Sequence, residues 1–182
     1  MAGVRTSITH PLEVAWLPTP WPGSVGLTFA PGKKDPAAAT GAWDRDLDVD
    51  LARLKTVHGT AVLVSLIEDH ELDLLHINEL PQATVAAGIT FRRFPIPDVS
   101  IPNDASLVSA LVAEIIQHAR EGRNVVIHCR GGLGRAGTIG GCVLRSAGLA
   151  PEAALATLAT ARGPNCPETR AQRDFIRSFQ AC

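Results

Sequence analysis

The sequence predicts an α/β fold: a central, mostly parallel sheet flanked by helices, with a helix cluster at the C-terminal end. Short apolar, β-branched runs ("TAVLVSLI", "ITFRRFPI", "NVVIHC") alternate with segments of helical spacing. The spacers between the runs are of crossover length, which parallel neighbours require. After "NVVIHC" only helical patterns follow. With 182 residues and 46 % apolar side chains, one domain over 1–182 can bury a sizeable core.

Residues 1–40 are rich in Pro and Gly and read as an irregular segment packed by Trp16 and Trp21. Short strands fit 12–17 and 25–29, with turns at "PTPWPG" and "APGKKDP". In "DLDVDLARLKTVHG", Leu47, Leu51, Leu54 and Val57 recur at helical spacing, and Gly59 is placed as a C-terminal cap. The strand "TAVLVSLI" is followed by a polar loop, "EDHELDLLHINEL", and then a helix to about Ala87, closed by Gly88. "ITFRRFPI" is the next strand. Asn103 or Asp104 caps a helix whose Leu107, Leu111, Ile115 and Ala119 line one face. Beyond "NVVIHC", helices are expected over 135–147, 151–161 and 168–180, with Pro151 at a first helical position and Gly148 at a cap.

The formal net charge of −1 provides no broad basic field, so no nucleic-acid partner and no anionic membrane is expected. The first residues lack the apolar core of a signal peptide, and no apolar run reaches the roughly 18–20 residues of a membrane span. Cys129, Cys142, Cys166 and Cys182 show no paired spacing, which argues against a disulfide framework and a zinc site. A cytoplasmic setting and no metal or other cofactor are the expectations. The sequence leaves the oligomeric state open.

The chemistry concentrates in "VVIHCRGGLGRAGT", Val125 to Thr138. A strand-to-helix loop exposes unpaired backbone N–H groups. Gly131, Gly132 and Gly134 let that backbone curl into a concave nest, and the following helix dipole adds positive charge. A tetrahedral dianion fits such a nest. The same field favours the thiolate of Cys129, and the thiolate is the nucleophile. Arg135 completes the ring, since a guanidinium holds two phosphate oxygens at once. The absence of GxxxxGK[ST] excludes a nucleotide-binding P-loop.

The string His-Cys, five residues, Arg resembles the signature of cysteine-dependent phosphatases. Within these it is most similar to the dual-specificity group and its kinase-associated phosphatases, whose loop also reads "GGLGR". The resemblance covers roughly 12–180 and is strongest from Phe94 onward. It implies a phosphatase domain, a phosphocysteine intermediate on Cys129, and a phosphorylated protein or other phosphomonoester as substrate. The loop residues Arg130, Gly131, Gly132, Leu133 and Gly134 would bind it. Asp98 in "FPIPDVSIPN", 31 residues before Cys129, matches the family's general acid, and a bell-shaped pH profile follows. Gln172 matches a glutamine that positions water or contacts the loop, and His128 would fix the loop by hydrogen bonds. Cys166 should lie near the site, where a reversible disulfide with Cys129 is conceivable.

One departure stands out. The residue after the arginine is usually Ser or Thr in the family, and its hydroxyl supports the departing thiolate. Here it is Ala136. Two other readings stay open: a phosphoprotein-binding module with slow catalysis, and a rhodanese-like sulfurtransferase, which would need no acid at Asp98. The choice between phosphotyrosine and phosphoserine/threonine stays open as well.

Overall fold

The structure is a computed structural model describing residues 3–38 and 40–181, so Cys182 lies outside the described residues. Its main sheet has five strands: β1 (Ala15–Leu17), β2 (Val25–Thr28), β5 (Thr60–Ser65), β6 (Thr90–Arg93) and β7 (Asn124–His128). A small hairpin, β3 (Lys34–Asp35) with β4 (Trp43–Asp44), lies between β2 and β5 in sequence. The sheet order is β1-β2-β7-β5-β6, with β1 antiparallel and the other pairs parallel. β7 runs down the centre, and Val125, Val126 and Ile127 are fully buried. A strand covered on both faces reads as a continuous apolar run, which is what "VVI" is.

Seven helices are present among the described residues: α1 (Leu47–Thr56), α2 (Asp69–Leu74), α3 (Leu80–Ala86), α4 (Ala105–Arg120), α5 (Gly134–Ser146), α6 (Pro151–Arg162) and α7 (Arg170–Ser178). α5 packs against α4, α6 and α7, forming the expected cluster, while α1 and α3 pair with each other elsewhere. α5 is buried on nearly every side from Gly134 to Leu144. No described helix is long and apolar enough to cross a membrane.

Four expectations need correction. The strand expected over 12–17 begins only at Ala15, because the Leu12 carbonyl accepts from the side chains of Arg53 (2.6 Å) and His58 (3.1 Å). The polar loop "EDHELDLLHINEL" contains α2. Glu68 is a poor cap by type, yet its backbone N–H donates to Glu71 Oε2 at 2.8 Å and closes a capping box. Leu107 is exposed, and the buried stripe of α4 is Val108, Leu111, Val112, Ile115, Ile116 and Ala119. Asp104, accepting from Ser106 N and Leu107 N, starts the helix with Leu107 turned outward. Val57 is likewise exposed, because α1 ends one residue earlier.

The register decides where chemistry can occur. Thr28 and Ser65 both pair with His128, and Ser65 pairs with Arg93. Four parallel strands therefore end in one row, and the segments that follow leave the sheet side by side. Ligands bind beyond such carboxyl ends. The ladder continues past the strand ends: Leu66 N donates to His128 O (3.0 Å), Phe94 N to Ser65 O (2.9 Å) and Ile96 N to Leu66 O (3.0 Å). The segments after β5, β6 and β7 are thus fixed to one another.

Candidate active site

The loop from Cys129 to Leu133 joins β7 to the N-terminus of α5. Its backbone turns at Gly132, the one loop glycine with positive φ (+74°). A Cβ there would also come within 2.5 Å of the Thr28 carbonyl, so the position tolerates only glycine. Gly134 is needed for a different reason: a side chain would strike Glu168 and Gln172. Gly131 faces open space and carries no such requirement.

Successive carbonyls of this loop are each held from outside by a donor. Arg130 O accepts from Ala30 N and from Lys33 Nζ, both at 3.3 Å. Gly131 O accepts from Arg162 Nη2 and Gly132 O from Arg162 Nε, both at 3.1 Å. Leu133 O accepts from Cys166 Sγ at 3.3 Å. A peptide plane whose C=O is pulled outward presents its N–H inward. The Gly132 N–H accordingly donates to Cys129 Sγ at 3.2 Å. Cys129 is 2 % exposed and sits before the positive end of a 13-residue helix. The arrangement favours an anion in front of the sulfur.

Arg135, from the first turn of α5, is aimed by Glu71 of α2. Arg135 Nη1 and Nη2 donate to Glu71 Oε2 (2.6 Å) and Oε1 (2.8 Å), and Nη1 also reaches Ile96 O (3.0 Å). Both side chains are nearly inaccessible. Burial pushes the Glu71 carboxyl up, but the Arg135 hydrogen bonds outweigh it and hold the group below the usual carboxylate range. Burial likewise opposes the charge of Arg135, and Glu71 more than restores it. Asp98 meets the same guanidinium, with Oδ1 2.8 Å from Nη2. Asp98 Oδ1 also accepts from Val99 N, a residue at φ +59°. Cys129, Arg135 and Asp98, named from the sequence, are therefore brought together.

Other expected residues take different places. Gln172 is fully buried with both polar ends engaged: Oε1 accepts from Thr169 N and Nε2 donates to Ser100 O, both at 3.1 Å. Through Ser100 it contacts the loop that carries Asp98. The Arg130 guanidinium turns to Asp35 Oδ2 (2.8 and 3.1 Å), so Arg130 serves the cradle through its backbone. His128 Nδ1 donates to Cys129 O at 3.3 Å, and burial pushes its pKa down to about 4, so the ring is neutral. Burial pushes the Cys166 thiol up to about 12, which makes it a poor partner in thiolate exchange. Ala136 is fully buried, and the Thr138 hydroxyl is spent on Gly134 O (2.8 Å).

Four residues escaped sequence reasoning: Lys33, Glu71, Arg162 and Glu168. Glu71 and Glu168 lie in polar stretches that look solvated, and Lys33 and Arg162 lie 96 residues before and 33 residues after Cys129. None has a local signature. Glu168 is exposed with its carboxylate against Gly134, at the start of α5. Among the described residues no group of three His, Cys, Asp or Glu is arranged to hold a metal ion.

Comparison with known proteins gives a consistent result. A family model described as "Swiss Army Knife protein, DSP-PTPase phosphatase domain" matches residues 45–179. Cyclin-dependent kinase inhibitor 3 of Rattus norvegicus is 27 % identical over 175 residues, 93 % of this chain and 79 % of that protein. Protein tyrosine phosphatase domain-containing protein 1 of Bos taurus is 34 % identical over 101 residues, 55 % of this chain and 12 % of its own length. Among solved structures, kinase associated phosphatase with serine at its catalytic cysteine superposes with a TM-score of 0.84 at 25 % identity, covering 93 % of this chain and 94 % of its own. Tk-PTP in its active form gives a TM-score of 0.66 at 27 % identity, covering 85 % and 90 %.

Proposed function

From the premise that this chain belongs to the dual-specificity, cysteine-dependent protein tyrosine phosphatase family, we propose that it hydrolyses phosphomonoesters through a phosphocysteine on Cys129. The observation that carries the reading is the Gly132 N–H on Cys129 Sγ, in a loop whose carbonyls are all held outward. The family match begins at Arg45, and we include the earlier residues in the same domain because β1 and β2 extend its sheet.

In the first step the Cys129 sulfur attacks phosphorus, and the ester oxygen leaves with a proton from Asp98. Arg135 and the inward amides neutralise the equatorial oxygens. A phosphate on Arg135 takes the position that Asp98 now holds, which frees Asp98 to reach the leaving oxygen. In the second step water attacks the phosphocysteine and the P–S bond breaks. The water's proton goes to a carboxylate: Asp98, now ionised, or Glu168, which lies against Gly134. Ala136 offers the departing sulfur no hydroxyl, and this favours slow turnover. It also gives footing to a second reading, a phosphoprotein-binding module. A sulfurtransferase has no use for the acid that stands on Arg135.

The deciding experiment is metal-free hydrolysis of phosphotyrosine peptides, phosphothreonine peptides and small phosphoesters, with Cys129→Ser as control. The expected result is hydrolysis by the parent and none by the variant. Residual activity in Cys129→Ser would remove the mechanism; tight phosphopeptide binding with no turnover by the parent would favour the binding module.

A further inference from the structure

Lys33 lies in the segment after β2, outside the signature loop, yet it touches that loop directly. Its Nζ donates to Arg130 O at 3.3 Å. The side chain is almost wholly buried, at 4 % exposure. The ammonium lies 4.4 Å from the centre of the Trp43 ring and 5.0 Å from that of Phe29, so aromatic faces replace much of its water. The charged groups around it come from several elements: Asp35 of β3, Arg45 after β4, and Cys129 and Arg130 of the loop. Arg45 is itself paired with Asp50 of α1, and Arg130 with Asp35. Cys129 and Lys33 are thus electrostatic neighbours with no bond between them.

A buried ammonium is an expensive way to hold one carbonyl, and Ala30 N already donates to the same oxygen. A neutral donor would serve packing better. What only a cation supplies is positive potential at the cysteine and at the anion before it.

We propose that Lys33 is a positioning residue of the phosphate loop, whose ammonium keeps the Arg130 carbonyl turned out of the cradle and sets a positive charge beside Cys129 and the anion it faces. The proposal rests on the phosphocysteine reading above. Linkage makes the effect mutual: the Cys129 thiolate favours the ammonium, and the ammonium favours the thiolate. Burial pushes the Lys33 pKa down to about 8 against the pull of Asp35 and Cys129, with Arg45 and Arg130 lowering it further. The cradle therefore carries this charge at neutral pH and loses it as pH rises through about 8.

The test compares the parent with Lys33→Arg and Lys33→Met. Alkylation of Cys129 by iodoacetamide is followed site by site by mass spectrometry across pH, and tungstate affinity is measured on the same proteins. In Lys33→Met the alkylation midpoint should rise, and reaction near neutrality should slow about tenfold. Lys33→Arg should keep the parent midpoint. Tungstate affinity of the parent should fall as pH rises through about 8, and that of Lys33→Arg should not, because a guanidinium stays charged. Lys33→Met should melt no lower than the parent at neutral pH, since it removes a buried charge. A purely structural lysine would give the reverse pattern, lower melting with an unmoved midpoint, and that overturns the proposal. Should Lys33→Met not fold, the tungstate profile of Lys33→Arg decides: a profile identical to the parent's overturns it. Alkylation that abolishes hydrolysis in all three proteins with one shared midpoint sinks only the Lys33 proposal. Alkylated Cys129 that still hydrolyses ester sinks the phosphocysteine reading itself.

Discussion

At the scale of single residues, Ala136 stands where the resemblance to the family implies Ser or Thr. It follows Arg135 in the first turn of α5 and is fully buried. The Thr138 hydroxyl, two residues further on, already donates to Gly134 O. The departing sulfur is left with the Gly132 N–H as its one observed donor. A hydroxyl at position 136 adds a second hydrogen bond, worth about 1 kcal/mol and roughly fivefold in rate. Ala136→Ser should therefore raise steady-state turnover by roughly that factor, and the parent should show a burst of product before a slower phase. Rapid-quench kinetics check both. Linear product release from the parent, with no gain in the variant, would show that phosphoenzyme breakdown is not limiting. Asp98 was singled out because the resemblance matches it to the family's general acid; the prolines at 95, 97 and 102 by themselves mark only a stiff turn. For Gln172 the resemblance offered two roles, positioning water or contacting the loop; its side chain closes a capping box with Thr169 and donates to Ser100 O.

At the scale of elements, the cradle is assembled by helices that contribute nothing to the signature. α2 exists to present Glu71: it is only six residues long, and Glu71 is its buried residue. α6 contributes Arg162 from its last turn, whose fork spans the Gly131 and Gly132 carbonyls. These are charge-assisted bonds to backbone, worth about 1.5 kcal/mol each before solvent screening of a half-buried side chain. Arg162→Met should release both carbonyls, weaken phosphate inhibition by roughly tenfold, and lower kcat less than it raises KM. Inhibition constants for inorganic phosphate, with melting temperatures to confirm the fold, measure this. Unaltered phosphate inhibition in a folded variant would mean that the loop keeps its shape without α6. The element pattern itself was readable, since strand runs and helical spacing are local. The exceptions were α2, whose Glu68 cap resembles no common N-cap, and the β3–β4 hairpin, whose strands are two residues each.

At the scale of the whole molecule, buried ionisable groups tie stability to pH. His128 is fully buried, and its folded pKa of about 4 lies below the ordinary 6.5. The unfolded chain takes up a proton between these values and the native chain does not. Stability is therefore full above about pH 6.5 and is lost as pH falls toward 4, by an amount on the order of 3 kcal/mol. Glu71, held below 4.5 by Arg135, adds a further loss below that pH as it is protonated. Urea denaturation at several pH values should show the midpoint falling across the first window. In His128→Asn that slope should flatten, whatever the substitution does to stability at neutral pH. An equal slope in the variant would assign the acid loss to other groups.

The sequence by itself determined the alternation of strands and helices, the nest around Cys129 and the identity of the clamp. Those features are written in contiguous residues: a β-branched run, glycines and an arginine at the start of a helix. Only the tertiary structure decided what surrounds them. The register that aligns Thr28, Ser65, Arg93 and His128 brings Lys33, Glu71 and Asp98 to one place, and the packing of α6 on α5 adds Arg162. The reason is physical. Backbone conformation is set by neighbours in the chain, whereas an ion pair such as Glu71–Arg135 or a held carbonyl depends on segments that folding alone makes adjacent.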